Sequence, residues 1–66
     1  MKVKVFNDKR TAFRTIPDVM AVRTTVSDGH CKIVVVAGHS SGAFRTYVFD
    51  PRYNPVEWRE DDGEDN

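Results

Sequence analysis

The sequence predicts an all-β protein, a small and strongly bent antiparallel meander of four to six strands that forms an SH3-like or open barrel. Stretches rich in β-branched and aromatic residues alternate with turn residues, an Asp-Gly pair separates two of these stretches, and no segment of the 66 residues has a sustained helical period. We expect one β domain over residues 1–59, followed by a disordered acidic tail over residues 60–66.

The first half of the chain supplies three of the predicted strands. Val3 and Val5 share one face while lysines occupy the other, which is the pattern of a half-buried strand. Residues 11–16 have enough β-branched and aromatic character for a second strand, and Pro17 must end or bend it because proline cannot donate to a ladder. Residues 18–26 resume the extended chain.

The Asp28-Gly29 pair is the clearest local signal in the sequence. Both residues tolerate the positive φ values that a tight type I′ hairpin requires, so we expect a hairpin at this point. In the strand that leads into it, the period of two places Met20, Val22 and Val26 on the core face.

Residues 31–37 should form the central strand of the sheet, because residues 33–36 are apolar on both faces. Residues 38–42 are rich in glycine and serine and predict a second turn, and residues 43–50 predict a further strand that Pro51 ends. Residues 56–59 can add a short last strand.

Two valines of the central strand, Val34 and Val36, are the predicted interface residues. Four consecutive β-branched residues in so small a chain need cover on both faces of the sheet, and one bent sheet covers only its inner face. A second subunit would supply that cover, which favours a homodimer. The alternative is that the sheet curls until Phe49, Tyr53 or Trp58 caps the outer side.

Length and composition exclude several classes of function. A chain of 66 residues has no room for a deep cofactor cleft, so we expect no cofactor and no small-molecule substrate. The single cysteine, Cys31, cannot form an internal disulfide. The sequence contains neither a signal-like leader nor an apolar run long enough for a membrane helix, which predicts a cytoplasmic protein that does not contact membranes.

One motif resembles the nucleophile elbow of α/β-hydrolases, since residues 38–42 read Gly-His-Ser-Ser-Gly with Ser40 at the nucleophile position. An elbow must lead into a helix, whereas the following residues read as a strand. A triad also needs a downstream histidine, and none follows His39. We therefore expect a hairpin loop here, no catalytic residue and no enzyme activity.

His30, Cys31 and His39 are the only imidazole and thiol groups of the chain. Structural zinc takes four such ligands, and neighbours on an extended chain point to opposite faces. We expect no metal site, with Cys31 as a small core residue and His30 on the surface of the turn.

The formal net charge of zero conceals two oppositely charged regions. Residues 1–50 carry 8 basic and 4 acidic groups, a net charge of +4, while residues 51–66 carry 2 and 6, a net charge of −4. Such asymmetry indicates a charged partner, or a tail that covers the basic region or keeps the protein soluble. A face that carries five particular side chains would suit single-stranded nucleic acid. These are Lys2, Lys4, Arg23, Arg45 and Tyr47.

Two hypotheses about function follow. The first is a small non-catalytic intracellular interaction protein that presents a sheet face or edge to a protein partner or to itself, as an accessory or inhibitory protein would. The alternative is a nucleic-acid-binding small β-barrel that uses the basic face and its aromatic platform.

Overall fold

The computed structural model describes residues 1–59, and the predicted acidic tail over residues 60–66 lies outside them. The described chain is all β, with six antiparallel strands and no helix, which confirms the predicted fold class. The strands are β1 (Val3–Phe6), β2 (Phe13–Ile16), β3 (Val19–Ser27), β4 (His30–Gly38), β5 (Phe44–Phe49) and β6 (Val56–Trp58). Residues 1–59 contain no helix that is long and apolar enough to cross a membrane.

The strands form two three-stranded sheets. The first sheet has the order β2-β1-β6 and the second sheet has the order β3-β4-β5. The second sheet is a simple meander, whereas β6 returns from the far end of the chain to pair with β1. The sheets remain open and do not close into a barrel.

The predicted hairpin between β3 and β4 is present. Ser27 pairs with His30, and the two residues between them have φ values of 55° for Asp28 and 76° for Gly29. Two successive positive φ values are the signature of a type I′ turn, whose twist matches that of the flanking strands. This turn sets the register of the longest strand pair in the molecule.

The hydrophobic core lies between the two sheets and draws on both. Its fully buried side chains are Val3 of the first sheet and Val35 of the second. The other buried core residues are Val5, Ile16, Val19, Ile33 and Ala37. Because side chains alternate along a strand, the residues between these core positions face outward, and these outward faces are the candidates for function.

Three residues predicted to lie in the core are exposed. A β-bulge between Val19 and Ala21 inserts Met20 as an extra residue, and its side chain is 61% exposed. Val26 and Cys31 pair with each other near the end of the β3–β4 hairpin, where Val26 is 71% exposed and Cys31 is also exposed. The first sheet does not cover this end of the hairpin, so the side chains on the core face of β3 and β4 are exposed to solvent there.

Backbone and side-chain contacts join the two sheets at their margins. The amide of Val19 donates to the carbonyl oxygen of Met1 at 2.9 Å, which ties β3 to the start of β1. On the opposite margin the guanidinium of Arg14 lies 5.9 Å from the ring centroids of both Tyr47 and Phe49. A cation over two stacked rings therefore spans the gap between β2 and β5.

Candidate interaction surfaces

The outer face of the second sheet carries a continuous apolar surface, which we call the apolar face. Its residues are Val34, Val36, Phe44 and Val48, of which Phe44 is 66% exposed and Val48 is 62% exposed. Val34 and Val36 are half-buried, and they alternate with core residues along β4, so they point away from the core.

The register of β4 and β5 brings these side chains together. Val34 pairs with Val48, and Val36 pairs with Thr46, whose neighbours two residues away on the same face are Phe44 and Val48. Directly opposite and diagonal residues of an antiparallel pair contact each other through their side chains. The predicted interface residues thus lie at the centre of a larger apolar surface that also includes two exposed side chains of β5.

Charged groups border the apolar face. Arg23 of β3 lies opposite Val34, and an ion pair at 3.9 Å joins Lys32 Nζ to Asp50 Oδ2 beyond the end of β5. Asp50 also accepts hydrogen bonds from the backbone and side chain of Arg52, the shortest at 2.6 Å. The Arg52 side chain in particular holds the pKa of Asp50 well below its ordinary value, and Asp50 in turn raises the pKa of Arg52.

The aromatic residues considered as alternative cover for the central strand lie elsewhere. Phe49 and Trp58 pack against the core, on the opposite side of the second sheet from Val34 and Val36. Tyr53 is exposed, and its ring lies 5.2 Å from the guanidinium of Arg52. Within residues 1–59, the apolar face therefore has no aromatic cap.

The outer face of the first sheet has a different character and forms what we call the basic face. It is a shallow groove lined by Lys2, Lys4, Thr15, Glu57 and Arg59 together with Val56 and Trp58 of β6. Lys4 lies at its centre, since it pairs with Thr15 on β2 and with Glu57 on β6. Arg59 follows β6 and continues the same alternation as Glu57.

Two aromatic rings extend the basic face toward the β1–β2 turn. Phe13 is 54% exposed and packs against Phe6 with ring centroids 5.4 Å apart. Lys4 Nζ lies 5.0 Å from the Phe13 centroid, and the Arg10 guanidinium lies 4.7 Å from that of Phe6. Arg10 also forms an ion pair with Glu57 at 2.9 Å, which compensates the one acidic side chain of the groove.

The five residues of the nucleic-acid hypothesis are distributed over three surfaces. Lys2 and Lys4 lie on the basic face, and Arg23 lies on the outer face of the second sheet. Arg45 and Tyr47 pair with the core residues Ala37 and Val35, so they project from the core side of β5, where Tyr47 packs against the core. The structure brings only the two lysines together.

The basic face contains residues that the sequence did not single out, namely Phe13, Thr15 and Arg59. They join the lysines through two pairings of β1, with β2 and with β6. The pairing of β1 with β2 is local and could have indicated Phe13 and Thr15. The pairing of β1 with β6 joins residues more than 50 positions apart, and no local sequence pattern predicts it.

The Gly-His-Ser-Ser-Gly segment forms the turn between β4 and β5, as expected from the strand that follows it. Ser41, not Ser40, contacts a histidine, with Oγ 3.0 Å from His39 Nδ1. The other ring nitrogen, Nε2, lies 3.0 Å from an Arg45 guanidinium nitrogen, which can only donate. The backbone N–H of Ser41 lies 3.3 Å from Nδ1, so both ring nitrogens of His39 have partners within this turn and its flank.

Histidines and the cysteine do not assemble into a ligand set in the described residues, where no group of three metal-ligating side chains occurs. His30 Nε2 lies 3.4 Å from the Arg52 guanidinium, and His39 contacts Ser41 and Arg45. Cys31 is exposed at the end of the hairpin, so its prediction as a core residue is wrong.

Comparison of the chain with protein-family models, with curated proteins and with solved structures finds no match.

Proposed function

We propose that this chain is a small non-catalytic interaction protein that binds a second copy of itself through the apolar face. A protein of this kind acts by covering or presenting a surface, as an accessory or inhibitory protein does. We place its activity in the cytoplasm, where a reducing environment keeps an exposed thiol such as that of Cys31 free.

The observation that carries this proposal is the exposure of Phe44 and Val48 beside Val34 and Val36 on one sheet face. Single exposed apolar side chains are ordinary on protein surfaces, but a contiguous group on the outer face of a central strand and its neighbour indicates an interaction site. The face is uncharged at its centre and has its charged groups at the margin, which is the usual distribution of an interface.

The size of the molecule also supports a second copy as the partner. The seven buried core residues within positions 1–59 are all alanine, valine or isoleucine, and the single cysteine excludes a stabilising internal disulfide. Small domains commonly compensate for a limited core by oligomerisation. An exposed apolar sheet face can also pack against its own copy around a two-fold axis.

The dimensions of the apolar face set the expected strength of this dimer. Two strands at a spacing of about 4.8 Å and six paired residues at about 3.3 Å each give a projected area of roughly 200 Å². Stable interfaces bury about 800 Å² per partner, so the dimer belongs to the weak class. We expect a dissociation constant in the micromolar range or above.

The test is the mass in solution over a range of concentrations, measured by analytical ultracentrifugation from about 5 µM to about 1 mM. We expect the wild-type chain to shift from monomer to dimer within this range. Val36→Lys should raise the dissociation constant at least about tenfold, because the dimer would bury a charge without a partner. Val48→Lys should have the same effect, and its exposed position keeps the monomer fold intact.

Thr24→Lys is the matched control for these variants. Thr24 is an exposed residue of β3 that pairs with the core residue Ile33, so it lies on the opposite face from Val34. The same charge added there should leave the dissociation constant unchanged within about twofold. A wild-type chain that remains monomeric at about 1 mM, or a Thr24→Lys variant as weakened as Val48→Lys, contradicts the proposal.

A further inference from the structure

We propose that the basic face is a second binding surface and that its ligand is single-stranded nucleic acid, held by its phosphates and by stacking of one base on Phe13. This surface lies on the first sheet, whereas the proposed dimer uses the second sheet, so the two proposals can fail independently. It also differs from the surface that the sequence predicted, since only Lys2 and Lys4 are common to both.

The charge of the basic face fits a polyanion. Its basic residues are Lys2, Lys4, Arg10 and Arg59, and its acidic residue is Glu57, which leaves a net charge of +3. Lys4 and Arg59 have no carboxylate partner within residues 1–59, while Lys32 of β4 and Arg52, in the turn after β5, are paired with Asp50. Residues 1–59 contain 10 basic and 5 acidic groups, a net charge of +5, and the basic face holds +3 of it. This charge lies where a backbone of phosphates could cross β2, β1 and β6.

The position of Phe13 favours nucleic acid over an acidic peptide. The ring is 54% exposed and packs against Phe6, and the ammonium group of Lys4 lies over it, 5.0 Å from its centroid. A base that stacks on Phe13 would take the place of this ammonium group and leave it to bind the neighbouring phosphate. The carboxylates of an acidic peptide do not stack on an aromatic ring. An unpaired base does stack on such a ring, while a neighbouring cation binds the phosphate of the same nucleotide. Thr15, opposite Lys4, adds a hydroxyl group that can donate to a phosphate oxygen.

Fluorescence anisotropy of a labelled 12-nucleotide oligothymidine, titrated with the full chain, tests this proposal. For single strands the logarithm of affinity falls with the logarithm of salt concentration with a slope of about −0.7 per phosphate contact, so three contacts predict a slope of about −2. Affinity should then fall about twentyfold between 50 mM and 200 mM salt.

Two variants separate the contributions of charge and stacking. Lys4→Ala should reduce the slope to about −1.4, so that the same change of salt lowers affinity only about sevenfold. Phe13→Leu keeps an apolar side chain against Phe6 but loses the stacking surface. It should weaken binding at least about fivefold and leave the slope unchanged.

Arg23→Ala is the matched control, because it removes one positive charge from the outer face of the second sheet. It should leave both the affinity and the slope unchanged. A variant with the five acids at positions 60, 61, 62, 64 and 65 changed to their amides guards against competition by those charges, and it should bind at least as tightly as the wild type.

Three results would overturn the proposal. One is the absence of binding at 50 mM salt by both the wild type and the amide variant. Another is an Arg23→Ala variant that loses as much of the slope as Lys4→Ala does. The third is a poly-glutamate peptide of equal charge that binds as tightly as the oligonucleotide and is insensitive to Phe13→Leu, which would identify a surface for acidic protein segments.

Discussion

The two sheets of this protein are built alike on the inside and differently on the outside. Each has three antiparallel strands and contributes one fully buried valine to the shared core, Val3 from the first sheet and Val35 from the second. Their outer faces have opposite chemistry. The second sheet exposes aliphatic and aromatic side chains around Val36, whereas the first sheet exposes cationic side chains around Lys4.

This difference shows that the alternation of side chains along a strand identifies the outward residues but does not determine whether they face solvent or a partner. On β1 the residues that alternate with the core valines and face outward are Lys4 and Phe6. One polar and one aromatic side chain on the outer face are typical of a sheet with one solvated face. On β4 the outward residues are again β-branched and apolar, the pattern of a strand that is covered on both faces. The outer face of the first sheet is thus compatible with exposure to solvent. The outer face of the second sheet is apolar, and we expect a partner to cover it.

The largest effect is expected from two adjacent valines of β4 that face opposite ways. Val35→Ala should destabilise the monomer by about 2 to 3 kcal/mol, because it leaves a cavity at a fully buried position. Val36→Ala should cost less than about 1 kcal/mol at the same low protein concentration, since its side chain is only half-buried. Urea unfolding at about 1 µM measures both values, and equal losses would mean that the outer face is already covered in the monomer.

A second effect concerns the carboxylate that anchors the end of the second sheet. The pKa of Asp50 is held below its ordinary value of 3.8 by Arg52, so its contribution to stability is complete above that value and is lost as the pH falls below it. Asp50→Asn should therefore destabilise the protein near neutral pH. The difference in unfolding free energy between the two proteins should narrow steadily as the pH falls from about 5 to about 2. A difference that is as large at about pH 2 as at about pH 5 would contradict this account.

The smallest effect on stability is expected at the carboxylate of the first sheet. Glu57 and Arg10 form an ion pair between half-exposed side chains, so Glu57→Gln should change the unfolding free energy by less than about 1 kcal/mol. The same change raises the net charge of the basic face and frees Arg10 for a fourth phosphate. The salt slope of oligonucleotide binding should then steepen to about −2.8, and an unchanged slope would show that Arg10 does not contact the strand.

Much of the fold could be predicted from local chemistry. The Asp28-Gly29 pair predicts the turn between β3 and β4, the aliphatic run of residues 33–36 predicts that β4 is the central strand, and Pro51 predicts the end of β5. The bulge at Met20 could not be predicted in the same way. An inserted residue reverses the inward and outward assignment on one side of it. The backbone hydrogen bonds just before it join Val19 to Met1 and Asp18 to Gly38, which are distant in sequence.

The surfaces were harder to predict than the strands. An outer apolar face could be assigned to β4 because both of its faces are apolar, and the packing of Ile33 and Val35 in the core identifies Val34 and Val36 as the outward pair. Arg45 and Tyr47 could not, because the side of β5 that meets the core depends on its register with β4. The basic face depends on β6 pairing with β1, a contact between the two ends of the described chain that leaves no local signal.

The central claim is that the two outer faces bind different partners, and nuclear magnetic resonance of the labelled protein tests it most directly. Raising the protein concentration from about 20 µM to about 1 mM should shift the methyl signals of Val34, Val36 and Val48, while the amides of Lys4 and Thr15 remain in place. Adding oligothymidine at the low concentration should reverse the pattern. Shifts on the same face in both titrations, or shifts in neither, would contradict the account.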